Sequence, residues 1–218
     1  MAKKHLSQKR ILTDIFDALY QSFGPQHWWP GDSAFEVAVG AILTQNTNWG
    51  NVEKAIANIK AKKALNASNL HKMPHKQLAS LIKPAGYFNV KAKRLQSFLD
   101  FLCNDFKGSM QRMKKGDSSS LRKRLLSVHG IGPETADSIL LYALDKPVFV
   151  IDAYTRRVMS RHGMVSESAG YHELQELFHK HLPLDVQLFN EYHALFVMAG
   201  KYFCKPRPKC TGCPLKGV

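Results

Sequence analysis

The chain reads as an all-α protein of about ten helices, and three observations carry that reading. Apolar residues recur at helical spacing in most windows. Ala136, Ile139, Leu140, Ala143 and Leu144 form an i, i+3, i+4, i+7, i+8 stripe, and Leu188, Tyr192, Leu195, Phe196 and Ala199 form a second. Gly, Pro and Asn separate the stripes, in GPQHWWPGD, KPAGYFN and HGIGP. The one β-like run, 147–151 (PVFVI), is too short to carry a sheet. In chain order, amphipathic stretches cover roughly 6–21, 33–44, 50–62, 75–82, 90–105, 118–127, 134–145, 153–162, 170–181 and 184–203. Pro133 falls near the first position of 134–145, where its missing N–H costs nothing. No heptad run, solenoid repeat or low-complexity linker divides the chain.

Length and composition narrow the class. A chain of 218 residues with 44% hydrophobic content buries a real core and is not a disordered tail. No apolar run approaches the ~18 residues of a membrane span. The basic start, MAKKHLSQKR, leads into amphipathic sequence and not into the apolar core of a signal peptide. The expectation is a soluble, cytoplasmic protein without a membrane partner. Thirty-one Lys and Arg against 17 Asp and Glu give a net charge of +14, so a polyanion is the default partner, nucleic acid before membrane. A solubilising surface is the alternative. The charge concentrates in 105–124, in 83–94 and in the last 18 residues. Each stretch contains Gly or Pro, so the charge lies near loops as well as on helix faces, the pattern that contacts a phosphate backbone.

The most informative segment runs from 125 to 158, LLSVHGIGPETADSILLYALDKPVFVIDAYTRRV. Gly130, Ile131 and Gly132 make a tight turn between two helices. The two glycines permit positive φ and leave backbone N–H groups open at a helix start, which suits a phosphate. Ile131 would point inward and lock the helices together. A plain C-cap followed by an N-cap is the other reading. Asp152 ends the apolar run and opens a helix, so it reads as an N-cap. It also reads as a partly buried carboxylate facing a substrate, and a cap would fix its orientation.

Three of the four cysteines, Cys204, Cys210 and Cys213, lie in a basic, Pro-containing tail, where core packing does not explain them and a reducing compartment disfavours disulfides. Metal ligation is the reading. Cys103 reads as core.

These motifs, in this order, resemble the helix-hairpin-helix plus Gly/Pro-Asp (HhH-GPD) signature of the DNA glycosylase superfamily, endonuclease III in particular, from LTQNT to the C-terminal cysteines. The resemblance implies two helical lobes. Residues 34–146 would form a six-helix barrel, with the hairpin at 118–145. Residues 1–33 and 147–218 would form a second lobe carrying the cysteine loop, 204–213, with DNA across the cleft. It makes Asp152 the catalytic carboxylate, stabilising oxocarbenium character on the deoxyribose and orienting water. Bifunctional members carry a Schiff-base lysine where this chain has Glu134, which cannot form that imine, so the resemblance implies a monofunctional enzyme.

WWP followed by LTQNT resembles the 3-methyladenine glycosylase branch, which shares the glutamate. There aromatics sandwich the flipped base, making Trp28, Trp29, Pro30, Trp49 and Glu134 the base pocket, with Trp49 where that branch typically has phenylalanine. Covering the core is the alternative for any single tryptophan. Gln45 matches the family's plug for the vacated stack, and Tyr87 its opposite-strand wedge. A helix C-cap contact and a half-buried turn residue are the alternatives. The cysteines resemble the four-cysteine [4Fe-4S] loop, one residue shorter in the first gap. The fourth cysteine would fall one residue beyond Val218, so either the sequence stops short of it or the cluster has three protein ligands. Zinc is the alternative.

The expected function is hydrolysis of alkylated purines such as 3-methyladenine from double-stranded DNA, by a monomer. The rivals are a bifunctional lyase on oxidised pyrimidines, a mismatch glycosylase and a non-catalytic DNA-binding module.

Overall fold

The computed structural model describes residues 7–217; the basic start up to residue 6, and residue 218, lie outside them. The described residues form twelve α-helices and no strand. In order these are α1 (Gln8–Phe23), α2 (Ala34–Leu43), α3 (Trp49–Ala61), α4 (Ala67–Lys72), α5 (His75–Leu81), α6 (Phe88–Phe106), α7 (Met110–Lys114), α8 (Ser118–Ser127), α9 (Pro133–Ser138), α10 (Ala153–Arg161), α11 (Tyr171–His181) and α12 (Val186–Tyr202). Helices α4 and α7, of 6 and 5 residues, are too short to show a periodic stripe, and they take the count past ten.

Side chains set most of the helix starts. Ser7, Ser33, Asn48, Asn66, Ser109, Asp117, Asp152 and Asp185 each accept an N–H from the first turn that follows. Each such cap contributes about 1 kcal/mol.

The chain divides into two compact units: a central unit, Trp29–Lys146, and a terminal unit of the described residues up to Trp28 together with those from Pro147 onward. In the central unit, α2 is buried from Phe35 to Leu43 and so serves as the core element. A 3-10 turn, Lys83–Ala85, leads into α6. Helix α9 passes into a π-helical segment, Ile139–Ala143, in which every residue is buried. Helices α8 and α9 form the hairpin. Arg122 on α8 makes a two-pronged bond to the fully buried Asp137 on α9, at 2.6 and 3.0 Å.

The terminal unit is built on aromatic rings. Phe149 stacks on Phe178 with centroids 3.7 Å apart, and Tyr192 on Phe196 at 4.7 Å. The Tyr192 hydroxyl donates to the Leu12 carbonyl at 2.7 Å, joining α12 to α1. Gly200 lets α10 approach α12, since a Cβ there would stand 2.3 Å from the Tyr154 ring.

The apolar run 147–151 lies outside the helices and pairs with no strand among the described residues. Side chains of α11 take that part: Phe149 N–H donates to His179 Nε2 at 2.9 Å, and Gln175 Nε2 donates to the Phe149 carbonyl at 2.7 Å. Among the described residues no helix is long and apolar enough to cross a membrane.

Candidate functional site

The hairpin turn uses its two glycines differently. Gly130 has φ +83°, and a Cβ there would lie 2.2 Å from Arg94 Cγ, so both conformation and close approach require glycine. Gly132 does not use positive φ: it sits at −90° as the N-cap of α9, with nothing within 4 Å of a would-be Cβ. Ile131 is buried between them. Glu134 stands exposed in the first turn of α9.

Gln45 is docked on this turn. Its Nε2 donates to the Gly130 carbonyl at 3.0 Å and to Thr135 Oγ1 at 2.9 Å, and its Oε1 accepts from Arg94 Nη1 at 2.5 Å. Arg94 thus lies across the glycine and holds the amide. Tyr87 is 72% exposed and left-handed at φ +45°, in the N-cap position of α6. Its ring projects into solvent from a turn whose other residues are covered to varying degrees.

Of the three tryptophans expected in the base pocket, Trp29 and Trp49 come together. Their rings meet edge to face at 5.2 Å and 86°, and Tyr142 packs on Trp29 at 5.0 Å. Gly40 on α2 leaves room for both rings; a Cβ there would be 3.3 Å from Trp49. Trp28 belongs to the terminal unit and is half-buried. The Trp49 indole N–H donates to Glu53 Oε1 at 2.8 Å, one helical turn along α3. Beside this pair opens a cleft of about 280 Å³ whose walls include Pro30, Trp49, Asp32, Glu36, Glu53 and Lys60. Lys60 bridges Asp32 at 2.8 Å and Glu36 at 2.7 Å, and these bonds hold its ammonium above the ordinary lysine pKa. With three carboxylates against one ammonium, the cleft is acidic although the chain is strongly basic. Glu53 was discernible from its position four residues after Trp49; Asp32 and Glu36 carried no signal beyond the cap of α2.

In the terminal unit Asp152 caps α10. Its Oδ1 accepts the Thr155 N–H at 2.7 Å, and its Oδ2 lies 3.7 Å from His193 Nε2. His193 is 5% exposed, and burial pushes its pKa below the usual value against the opposing pull of Asp152. Burial therefore favours the neutral imidazole over the imidazolium. One oxygen is anchored by the backbone and the other is not, an arrangement that suits an oriented anion. Arg156 and Arg157 are engaged within the unit. Arg156 donates to the Ala169 carbonyl, and Arg157 Nε to the Cys204 carbonyl at 2.5 Å.

Arg161 joins Arg157 in holding the cysteine loop, donating to the carbonyls of Lys205 at 2.5 Å and Pro206 at 2.9 Å, and approaching Cys204 Sγ at 3.4 Å. Burial raises the Cys213 thiol pKa, and neighbouring Cys210 and Cys204 raise it further. Three thiols within one short loop are a donor set whose chemistry fits a thiolate-bound metal. Among the described residues, however, no three ligand groups converge on one point as a ready cage. Cys103 is half-buried, and burial raises its pKa as well.

The sequence profile of the HhH-GPD superfamily of base excision DNA repair proteins matches residues 39–184, about two thirds of the chain. The chain belongs to that superfamily. A relative in Methanocaldococcus jannaschii, whose name places it provisionally among DNA repair glycosylases, is 47% identical over 208 residues, covering 94% of each chain. The solved structure of the H. pylori 3-methyladenine DNA glycosylase MagIII bound to 1,N6-ethenoadenine is similar with a TM-score of 0.77 and 30% identity. That match covers 90% of this chain and 98% of that one. A trapped endonuclease III–DNA covalent intermediate shares the fold, with a TM-score of 0.81 and 22% identity over 96% of this chain and 94% of that one. The HhH-GPD protein described here is thus a DNA glycosylase by family.

Proposed function

We propose that this HhH-GPD protein is a monofunctional glycosylase that removes alkylated purines, such as 3-methyladenine, from double-stranded DNA. The observation that carries the substrate class is the cleft walled by Pro30 and Trp49 and rimmed by Asp32, Glu36 and Glu53. An aromatic face attracts an electron-poor ring, and carboxylates around it favour a cationic one. A base already carrying positive charge also leaves without a strong general acid. The similarity to MagIII supports the same class. Glu134, at the place of the lyase lysine, supports hydrolysis over imine formation.

In this reading Asp152 stabilises the oxocarbenium-like sugar and orients the attacking water. Gln45 and Tyr87 enter the duplex as plug and wedge, so Gln45 must leave its docked position on the hairpin. Cys204, Cys210 and Cys213 serve as thiolate ligands of a [4Fe-4S] cluster, which supplies structural fixation of the loop. Iron and acid-labile sulfide analysis of purified protein tests that assignment, and zinc without sulfide overturns it.

The test of function is base release measured across duplexes containing 3-methyladenine, 7-methylguanine, thymine glycol, uracil or a mismatch. Release confined to the methylated purines, with no borohydride-trapped adduct, is expected. Release of thymine glycol with a covalent adduct overturns the proposal in favour of a lyase. Release only from mismatches overturns the substrate class.

A further inference from the structure

Lys91 lies one turn into α6 and is 1% exposed, which is rare for a lysine. Its Nζ donates to the Leu43 carbonyl at 2.9 Å and to the Ala85 carbonyl at 2.7 Å. Leu43 ends α2 and Ala85 ends the 3-10 turn. Both carbonyls are therefore of the kind that helix ends leave without an intrahelical partner. Leu43 stands two residues before Gln45, and Ala85 two residues before Tyr87.

We propose that Lys91 is the positioning residue that holds the Gln45 and Tyr87 segments at a fixed spacing for insertion into DNA. The inference rests on the plug and wedge roles proposed above. Packing alone does not account for a lysine here, because a methionine of similar length would fill the space without burying a charge. What methionine lacks is the ability to bond two separate carbonyls at once. The same stretch of α6 reinforces the clamp. The Lys91 backbone N–H bonds the Tyr87 carbonyl at 2.9 Å, and Arg94 holds the Gln45 amide oxygen. Tyr87, left-handed and largely exposed, has little packing of its own to fix it. Its position follows from the backbone on either side, and Lys91 grips both sides.

A flipped base requires plug and wedge to enter opposite strands at one step, so their spacing has to match the duplex. An enzyme without the clamp would fold and bind DNA, yet pay the ordering of two loose segments during insertion.

The experiment uses the full chain and a duplex with 2-aminopurine beside a non-hydrolysable lesion analogue, whose fluorescence reports unstacking. Single-turnover release is followed in parallel on the hydrolysable lesion. Lys91→Met, Tyr87→Ala, Gln45→Ala and the Lys91→Met/Tyr87→Ala double variant are compared below their unfolding temperatures. Lys91→Gln, which keeps a donor, replaces Lys91→Met if the latter fails to fold.

Lys91→Met is expected to cut both signals ~10-fold, and the double variant to be no worse than its more severe parent. Simple destabilisation would instead add to the Tyr87→Ala loss. Additive losses, or an unaffected Lys91 variant where Tyr87→Ala and Gln45→Ala are impaired, overturn the clamp alone. Full unstacking by both Tyr87→Ala and Gln45→Ala overturns the insertion roles, and the clamp with them.

Discussion

Asp152 shows how one side chain meets two demands. As the N-cap of α10 it needs only an oxygen aimed at the Thr155 N–H, and asparagine supplies that equally well. In its proposed role as the catalytic anion it would need charge, which asparagine lacks. Asp152→Asn is therefore expected to keep the thermal midpoint nearly unchanged while base release falls ~100-fold or more, read by melting and single-turnover kinetics on the same preparation. The cap was legible in the sequence, since Asp opens the helix AYTRRV; His193 was not, because its approach to Asp152 is made by the fold and follows no local spacing. Lys91 gives a second prediction at this scale. Burial, with Arg94 adding to it, lowers its pKa from 10.5 to about 8. Between those values the unfolded chain binds the proton and the folded one does not, so stability should rise with pH across that window. The neutral amine still has two N–H groups for its two carbonyls, so the clamp itself survives. Unfolding titrations at several pH values should show this rise in the wild type relative to Lys91→Met; a relative fall would contradict the sign.

At the level of elements, the hairpin depends on more than its turn. Arg122 and the fully buried Asp137 join α8 to α9, and removing one partner leaves the other charge uncompensated. Asp137→Ala is expected to cost about 3–5 kcal/mol in denaturant unfolding. The loss should exceed that of the exposed pair Arg124–Asp105, broken by Asp105→Ala, which is expected to cost below about 1 kcal/mol. Equal losses would show that burial does not set the strength of the hairpin pair. The hairpin's outline was legible because its apolar stripe and its GIGP turn are local signals. Its interior was less so. From Thr135 to Leu144 every residue is buried, so no solvent-facing side fixes a phase, and the π-helical turn at Ile139–Ala143 left no mark in the periodicity. The run 147–151, β-like but too short for a sheet, pairs with no strand among the described residues. Burial asks for apolar residues whether the backbone's partners are a strand or, as here, the His179 and Gln175 side chains.

For the whole molecule the charge of +14 overstates what is free to meet phosphates. In 105–124, Lys114, Arg122 and Arg124 pair with Asp145, Asp137 and Asp105. In 83–94, Lys91 is buried and Arg94 bonds Gln45, which leaves exposed Lys83 and Lys93 on either side of Tyr87. Composition counts all of these equally; only the packing separates them. The distinction is measurable through salt, because each lysine that neutralises a phosphate releases counterions and steepens the fall of log K with log salt by about 1. Lys83→Ala and Lys93→Ala should each reduce that slope by about 1 on an undamaged duplex, where no base flips. Lys91→Met should leave the slope unchanged although it removes the same formal charge, since its ammonium faces two carbonyls inside the fold. Lys114→Ala should also change it little, because Asp145 already holds that ammonium. If all four variants lowered the slope alike, non-specific binding would follow net charge and the placement of individual lysines would not matter. If the first two alone did so, the grip on undamaged DNA would sit on the 3-10 turn and the start of α6, on either side of Tyr87, the proposed wedge.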